Sequence, residues 1–286
     1  MTSGRQIRTL VVLGAGTMGR GIAQMAAMAG YRTLLFDLED SVLAEARAAV
    51  LANLDKGRKL GKVSPQACEL ATRLLETTTD FGRAASECDF LIEAIPEKMS
   101  LKSEALAQFE KCARPGTVFA TNTSSLSITE LAAGAEDPGR VIGMHFFNPV
   151  HLMKLVEIVR GAQTSAETFA TTEAVARQMG KETVDVKESP GFVTSRVNAL
   201  IGNEAFYMLQ EGIASARDID RALKLGLNHP MGPFEMVDLV GLDTRLSVLN
   251  FLHERLGEKY RPCPLLVQYV ADGRLGRKVG RGVYEY

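Results

Sequence analysis

Tryptophan is absent from this 286-residue chain, and cysteine and histidine occur only four times each. Cys68, Cys88, Cys112 and Cys263 stand 20, 24 and 151 residues apart with no CxxC pair. That spacing indicates neither a zinc knuckle nor a disulfide framework, and it fits a reducing cytoplasm. No apolar run approaches the roughly 18 residues a membrane span needs. The start, MetThrSerGlyArgGlnIleArg, also lacks the apolar stretch of a secretory leader. Charge excess is missing too: 33 basic against 34 acidic side chains leave a net charge of -1. Without a basic field there is nothing to draw in nucleic acid or an anionic membrane. The expectation is a soluble, cytoplasmic protein, long enough for two domains with a sizeable core.

Glycine, by contrast, is placed with purpose near the start. Residues 9–24 read ThrLeuValValLeuGlyAlaGlyThrMetGlyArgGlyIleAlaGln. Leu10 to Leu13 are apolar over a strand's length, and Gly14, Gly16 and Gly19 then fill the G-x-G-x-x-G spacing, with Thr17 and Met18 between the last two, at the start of a helix. The first glycine permits the tight turn. The second lets backbone approach a pyrophosphate, and the third lets the helix lie close to its strand. A second apolar run, Thr33 to Phe36, ends in Asp37, 18 residues after Gly19. An acid there accepts hydrogen bonds from ribose hydroxyls and repels a 2′-phosphate, so the pattern predicts NAD rather than NADP. Arg32 precedes that strand and points away unless a loop brings it to the ribose.

Further strands are expected at Asp89 to Ile92, Thr117 to Thr121, Val141 to Phe146, Leu155 to Val159 and Thr183 to Val186, with helical periodicity between them. Strand and helix in alternation predict a doubly wound, mostly parallel, Rossmann-like α/β sheet over residues 1–188. The region from Lys56 to Leu75 is longer than a plain crossover needs. A long helix capped by Ser41 and a second from Ser64 are read as a helical hairpin inserted beside the sheet. After SerProGlyPhe at 189–192 the pattern is helical only: Val193 to Glu211, Ser215 to Lys224, Pro233 to Leu256 and Pro264 to Ala271. Residues 189–286 are therefore expected to form an all-α C-terminal domain whose apolar content (Ile201, Phe206, Met208, Leu209, Met236, Leu239) leaves surface for a partner subunit.

A dinucleotide grip used for hydride transfer needs a group to handle the accompanying proton, and histidine is best poised for it. His151, His229 and His253 lie in a loop, a turn and a polar helix face. His145 instead ends an apolar strand, where ligands gather in such folds. A core histidine bonded to a backbone carbonyl would give the same pattern. Glu157, flanked by apolar residues in the next strand, supplies a partner that would orient the ring and stabilise its cation; a salt bridge to Lys154 or Arg160 is its alternative. AlaThrAsnThrSerSerLeuSerIle at 120–128 sets hydroxyls at another strand end, able either to cap the helix near Ser127 or to bond a reacting oxygen.

AsnThrSerSer at 122–125, HisPhePheAsnPro at 145–149, SerProGlyPhe at 189–192, HisProMetGlyProPheGlu at 229–235 and GlyArgLysValGlyArgGlyValTyr at 276–284 together resemble the L-3-hydroxyacyl-CoA dehydrogenase family, and within it the short bacterial 3-hydroxybutyryl-CoA dehydrogenases. The likeness runs from about Arg8 to Tyr286. It implies NAD-linked, reversible oxidation of a 3-hydroxyacyl-CoA to the 3-ketoacyl-CoA, by a homodimer joined through the helical domain. His145 then matches the catalytic base and Glu157 its paired carboxylate. Ser124 matches the serine bonding the reacting oxygen, Glu97 and Lys102 match residues near the nicotinamide ribose, and Asn148 one beside the nicotinamide. Read from the residues alone, Glu97 and Lys102 are a solvated helix start. Lys56, Arg58, Lys59 and Lys62 at the hairpin tip, with Asn53 behind them, suit the phosphates of coenzyme A, or else form a solvated basic turn.

Two positions depart from the pattern. Ser195 stands where the family commonly has an active-site asparagine, and Asn198, one helical turn on, is placed to supply the amide instead. Arg277 precedes Lys278 where two lysines are common, keeping the charge of a cofactor contact while changing its geometry. Two other readings are a dehydrogenase of free 3-hydroxy acids, which generally relies on a helical-domain lysine, and a non-catalytic NAD-binding relative. No metal is expected in any of them.

Overall fold

The structure, a computed structural model, describes residues 6–286; the first five residues of the N-terminal stretch read above for a leader lie outside these. The chain divides into two compact units, residues 1–188 and 189–286.

The first unit is an eight-stranded sheet in the order β3-β2-β1-β4-β5-β6-β7-β8. Its strands are β1 (Thr9–Leu13), β2 (Arg32–Phe36), β3 (Leu75–Thr78), β4 (Phe90–Glu93), β5 (Val118–Thr121), β6 (Val141–Phe146), β7 (Leu155–Arg160) and β8 (Glu182–Lys187). All neighbouring pairs are parallel except β6 with β7. The exception follows from the chain: a short loop returns directly to the sheet, whereas parallel pairing needs a crossover. β3 escaped sequence reading because LeuGluThrThr is a short, half-polar edge strand without an apolar run. Asp89, expected in β4, stays outside it and accepts the Thr9 N–H at 2.9 Å.

On one sheet face, Val12, Leu35, Ile92, Met144 and Ile158 pack with Ile22, Ala26, Val50 and Val175 from α1 (Thr17–Met28), α2 (Asp40–Lys59) and α7 (Ala166–Gln178). The opposite face continues in aromatics: Phe36, Phe81, Phe109 and Phe119 meet edge to face at 5.3, 6.2 and 6.3 Å. Phe81 comes from α4 (Phe81–Glu87) and Phe109 from α5 (Met99–Glu110). α2 and α3 (Pro65–Leu74) form the inserted hairpin. Ser64 caps α3 through the Ala67 N–H, but α2 begins at Asp40 after Glu39, so Ser41 lies inside it and is not its cap.

The second unit holds α8 (Thr194–Gln210), α9 (Ala216–Gly226), α10 (Pro233–Val240), α11 (Leu242–Leu256) and α12 (Pro264–Ala271). The helix expected from Pro233 to Leu256 is thus two. Gly241 divides them at φ 106°, a backbone state open chiefly to glycine. Phe206, Phe234, Leu249 and Leu266 are fully buried between these helices. Two buried carboxylates seal the C-terminal tail: Asp220 accepts the Phe234 N–H at 2.8 Å and the Tyr284 hydroxyl at 2.7 Å, and Asp238 accepts the Val283 and Tyr284 N–H groups at 2.8 and 2.9 Å. No helix among the described residues is long and apolar enough to cross a membrane.

Candidate active site

Three glycines make the β1–α1 turn, each for a different geometric reason. Gly14 has φ +95°, and a Cβ there would stand 2.8 Å from the Ala94 carbonyl oxygen. At Gly19 a Cβ would fall 1.7 Å from the Gly14 carbonyl oxygen, so only glycine lets the helix lie on the turn. Gly16 faces open space, with nothing within 4 Å of a built Cβ. That is the cradle a pyrophosphate requires, and α1 begins there without a side-chain cap or an acid in its first turn, leaving its N–H groups to an anion. Thr17 and Met18 open that helix.

Asp37 follows β2 and accepts the Ala15 N–H at 2.7 Å and the Leu38 N–H at 2.8 Å. Its carboxylate is thereby fixed against the glycine turn. Arg32 lies at the opposite end of β2, engaged by Glu76 at 2.8 Å and by Glu87. Those bonds hold the guanidinium above its ordinary range and hold Glu76 below the usual carboxylate range. Arg32 is thus committed away from the ribose position.

Beyond the glycine turn the carboxyl ends of β4, β5 and β6 follow in order. Glu93, the last residue of β4, is fully buried. One of its oxygens accepts the Ile95 N–H and the Lys102 ammonium, both at 2.7 Å; the other accepts Lys102 at 2.9 Å and the Thr121 hydroxyl at 2.6 Å. Burial pushes this carboxyl up, against the pull of Lys102. Lys102 is itself fully buried, with Nζ 3.5 Å from Glu97. The solvated helix start read from the residues alone is therefore wrong for Lys102. Glu97 in turn accepts the Thr123 hydroxyl at 2.6 Å and the Ser124 N–H at 2.9 Å, with the Ser124 and Ser125 hydroxyls at 3.4 and 3.3 Å. Of the polar cluster at 120–128, Ser127 is the helix cap, bonding the Glu130 N–H at 3.0 Å, while the hydroxyls at 123–125 turn to Glu97.

His145 and Glu157 are direct partners in the β6–β7 register. Nδ1 stands 2.6 Å from the Glu157 carboxylate, His145 being 7% exposed and Glu157 fully buried. Arg160, the alternative partner for Glu157, binds Asp185 at 2.8 Å instead. The Asn122 side chain accepts the Phe146 N–H at 3.0 Å and so ties the serine loop to the histidine strand. A carboxylate that accepts from Nδ1–H leaves the Nε2 lone pair as the ring's base.

A cavity of about 190 Å³ in the same unit is lined by Thr17, Arg20, Gln24, Asn53, Asn148 and His151. Asn53 donates to Gln24 at 2.8 Å. Burial, Lys181 and Lys56 together hold the His151 imidazole below its ordinary value. At the end of α2, Arg58 and Lys59 both pair with Asp55 at 2.7 Å.

The remaining predicted residues belong to the helical unit. Ser195 and Asn198 lie in the first turns of α8, both half-buried. Arg277 stands 5.0 Å from the Tyr286 ring, and its neighbour Lys278 pairs with Asp243 at 2.6 Å. Sequence reading missed Glu93, although an acid closing an apolar strand is the signal that selected Asp37. It also missed Arg20, Gln24 and His151, which carry no pattern of their own and are gathered only by the packing of α1, α2 and the loop after β6.

A glycine turn built for pyrophosphate and a buried histidine–carboxylate pair on one sheet define a nucleotide-dependent oxidoreductase. Residues 9–189 match the NAD binding domain of 3-hydroxyacyl-CoA dehydrogenase, and residues 191–286 match its C-terminal domain. A probable 3-hydroxybutyryl-CoA dehydrogenase of Bacillus subtilis is 44% identical, with 98% of each chain covered. The human mitochondrial hydroxyacyl-coenzyme A dehydrogenase is 37% identical over 98% of this chain and 91% of its own. The crystal structure of (S)-3-hydroxybutyryl-CoA dehydrogenase from Ralstonia eutropha superposes with a TM-score of 0.95 at 44% identity, covering 98% of this chain and 99% of that one. The chain belongs to the 3-hydroxyacyl-CoA dehydrogenase family, and its activity is the NAD-dependent oxidation of a 3-hydroxyacyl-CoA.

Proposed function

We propose that His145 is the general base of this oxidation and Glu157 the group that orients it and stabilises its cation. The observation that carries this reading is the 2.6 Å Nδ1–carboxylate contact at a buried register pair. Nε2 takes the proton of the C3 hydroxyl, and the Ser124 hydroxyl holds that oxygen. The nicotinamide, when bound, supplies the hydride acceptor. Glu157 keeps its charge beside the imidazolium that results, which lowers the barrier most at the moment the ring becomes cationic. In the reverse direction the imidazolium returns the proton.

Gly14, Gly16, Thr17, Met18, Gly19 and Asp37 hold the adenosine diphosphate half of the cofactor. Glu97, Lys102 and Asn148 are assigned to its nicotinamide half, and Arg277 to a cofactor contact. Asn53, Lys56 and Lys59 are assigned to the coenzyme A moiety, supported by the cavity beside Asn53; Ser195 and Asn198 are assigned to the thioester. Relatives named for 3-hydroxybutyryl-CoA support a short acyl chain. The helical unit leaves Ile213, Leu225, Leu227 and Leu239 exposed, which supports a homodimer through that unit. A cytoplasmic location accords with the reduced cysteines.

Initial rates with acyl-CoA thioesters of four to sixteen carbons test the reading. A maximum at the short end is expected, and a maximum at the longest chains contradicts it. Loss of turnover on His145→Gln with NADH binding retained tests the base.

A further inference from the structure

We propose that Glu93 is a positioning residue that holds Lys102 beneath the end of β4, so that the cluster of Glu93, Lys102 and Glu97 keeps one net negative charge on the nicotinamide side of the site and raises the affinity for NAD⁺ relative to NADH. The inference rests on the cofactor placement given above.

Strand order sets the geometry. Asp37 follows β2, the glycine turn follows β1, Glu97 follows β4, Ser124 follows β5 and His145 ends β6, and these strands are consecutive neighbours in the sheet. A dinucleotide anchored at Asp37 and the glycine turn must cross the ends of β4 and β5 before it reaches His145. The charges it crosses are two carboxylates and one ammonium. Lys102 Nζ lies 2.7 and 2.9 Å from the two oxygens of Glu93 but 3.5 Å from Glu97. Its other contacts are carbonyl oxygens, those of Ile95 and Asn122, both at 3.4 Å. The ammonium bonds the buried acid and pairs at longer range with Glu97, 38% exposed at its side chain, which also accepts from the hydroxyls of Thr123 and Ser124; two carboxylates thus share one ammonium.

A residual negative charge distinguishes the two cofactor states. The oxidised nicotinamide ring is cationic and the reduced ring neutral, so a nearby carboxylate binds the oxidised form more tightly by its Coulomb energy with that ring. Loss of the Glu93 charge would leave Lys102 and Glu97 in balance and cancel the difference. A buried pair that served the fold alone would leave the ratio of the two affinities unchanged.

The test compares dissociation constants for NAD⁺ and NADH, measured by calorimetry on the intact protein without thioester. Glu93→Gln removes one negative charge with little change of shape. It is expected to shift the affinity ratio toward NADH by on the order of 3- to 10-fold. Adding Lys102→Met to it restores the net charge of the cluster and is expected to return the ratio to that of the wild type. An unchanged ratio in Glu93→Gln, or a double variant as shifted as the single one, overturns the proposal. Should Glu93→Gln not fold, Glu97→Gln removes one negative charge from the same cluster at an exposed side chain: a shift of the affinity ratio toward NADH is again expected, and an unchanged ratio overturns the proposal. Because the binding ratio is read without turnover, failure of the His145 mechanism would leave this result interpretable, and the converse holds as well.

Discussion

Across the antiparallel seam between β6 and β7, His145 and Glu157 occupy the same register position, and their side chains meet at 2.6 Å inside the sheet. The backbone pairing sets the two Cα positions opposite one another, which brings the imidazole within reach of its carboxylate.

That coupling predicts a specific pattern of losses. Removal of a positioned base typically costs 10² to 10⁴ in rate, so His145→Gln should lose kcat on about that scale while NADH titration remains normal. Glu157→Gln, which keeps the shape and drops the charge, should be strongly impaired as well. Since the two act as a unit, the double variant should be little worse than the worse single one. Multiplicative losses would assign Glu157 to a separate task.

Cofactor choice should follow Asp37. Its carboxylate is fixed by the Ala15 N–H, and Arg32, the one nearby cation in sequence, is held by Glu76 and Glu87 at the far end of the strand. NADH should be clearly preferred over NADPH, and Asp37→Ala should narrow the preference by weakening NADH more than NADPH. Equal use of both by the wild type would contradict the placement.

The hairpin tip should act on the thioester alone. Neutralising Lys56, Arg58, Lys59 and Lys62 together should raise KM for a CoA thioester and leave KM for NADH and for a pantetheine thioester nearly unchanged. Asp55 holds Arg58 and Lys59 in the structure, which makes Asp55→Asn the complementary probe: it should lower KM for the CoA thioester. Identical behaviour of both thioesters in the neutralised variant would leave the tip a solvated turn.

Alkaline stability should carry a contribution from the Tyr31 phenol. Tyr31 is buried beside β2, donates to Gln178 at 2.7 Å, and is pushed up to about 12 by burial. The unfolded phenol titrates near 10, so the folded state holds its proton more tightly. Its contribution is full below about pH 10 and is lost as pH rises from there through about 12, a swing on the order of 2–3 kcal/mol. In urea titrations across that range the penalty of Tyr31→Phe should shrink as pH rises. A penalty constant with pH would contradict the assignment.

Much of the first unit was legible in the residues. Where a glycine spacing, an apolar run and a closing acid coincide, the pattern itself is the local structure, because turn, strand and helix start are set by neighbours in sequence. Gly14, Gly16, Gly19, Asp37, His145 and Glu157 were found that way. The resemblance of five motifs to one family carried Ser124, Glu97 and Asn148, which composition alone left ambiguous. Four details were misread: Asp89 as part of β4, Ser41 as a cap, an unbroken helix from Pro233 to Leu256, and a solvated Lys102. The helix break is local to Gly241, whereas Lys102 is buried by packing that its sequence neighbours do not report.

What only the tertiary structure decided is how charges are shared. A basic residue in a sequence is equally available to every acid; burial and strand order make it the partner of one. Arg32 became a partner of Glu76 and Glu87 because β2 lies beside β3, and Lys102 became the partner of Glu93 because α5 returns its side chain beneath the end of β4. Strand register placed Glu157 opposite His145 and brought the carboxylate to the Nδ1 edge of the ring. Sequence determined which groups the chain carries and the turns that present them, since those depend on covalent neighbours. The fold decided which of them meet, since that depends on which surfaces exclude water together.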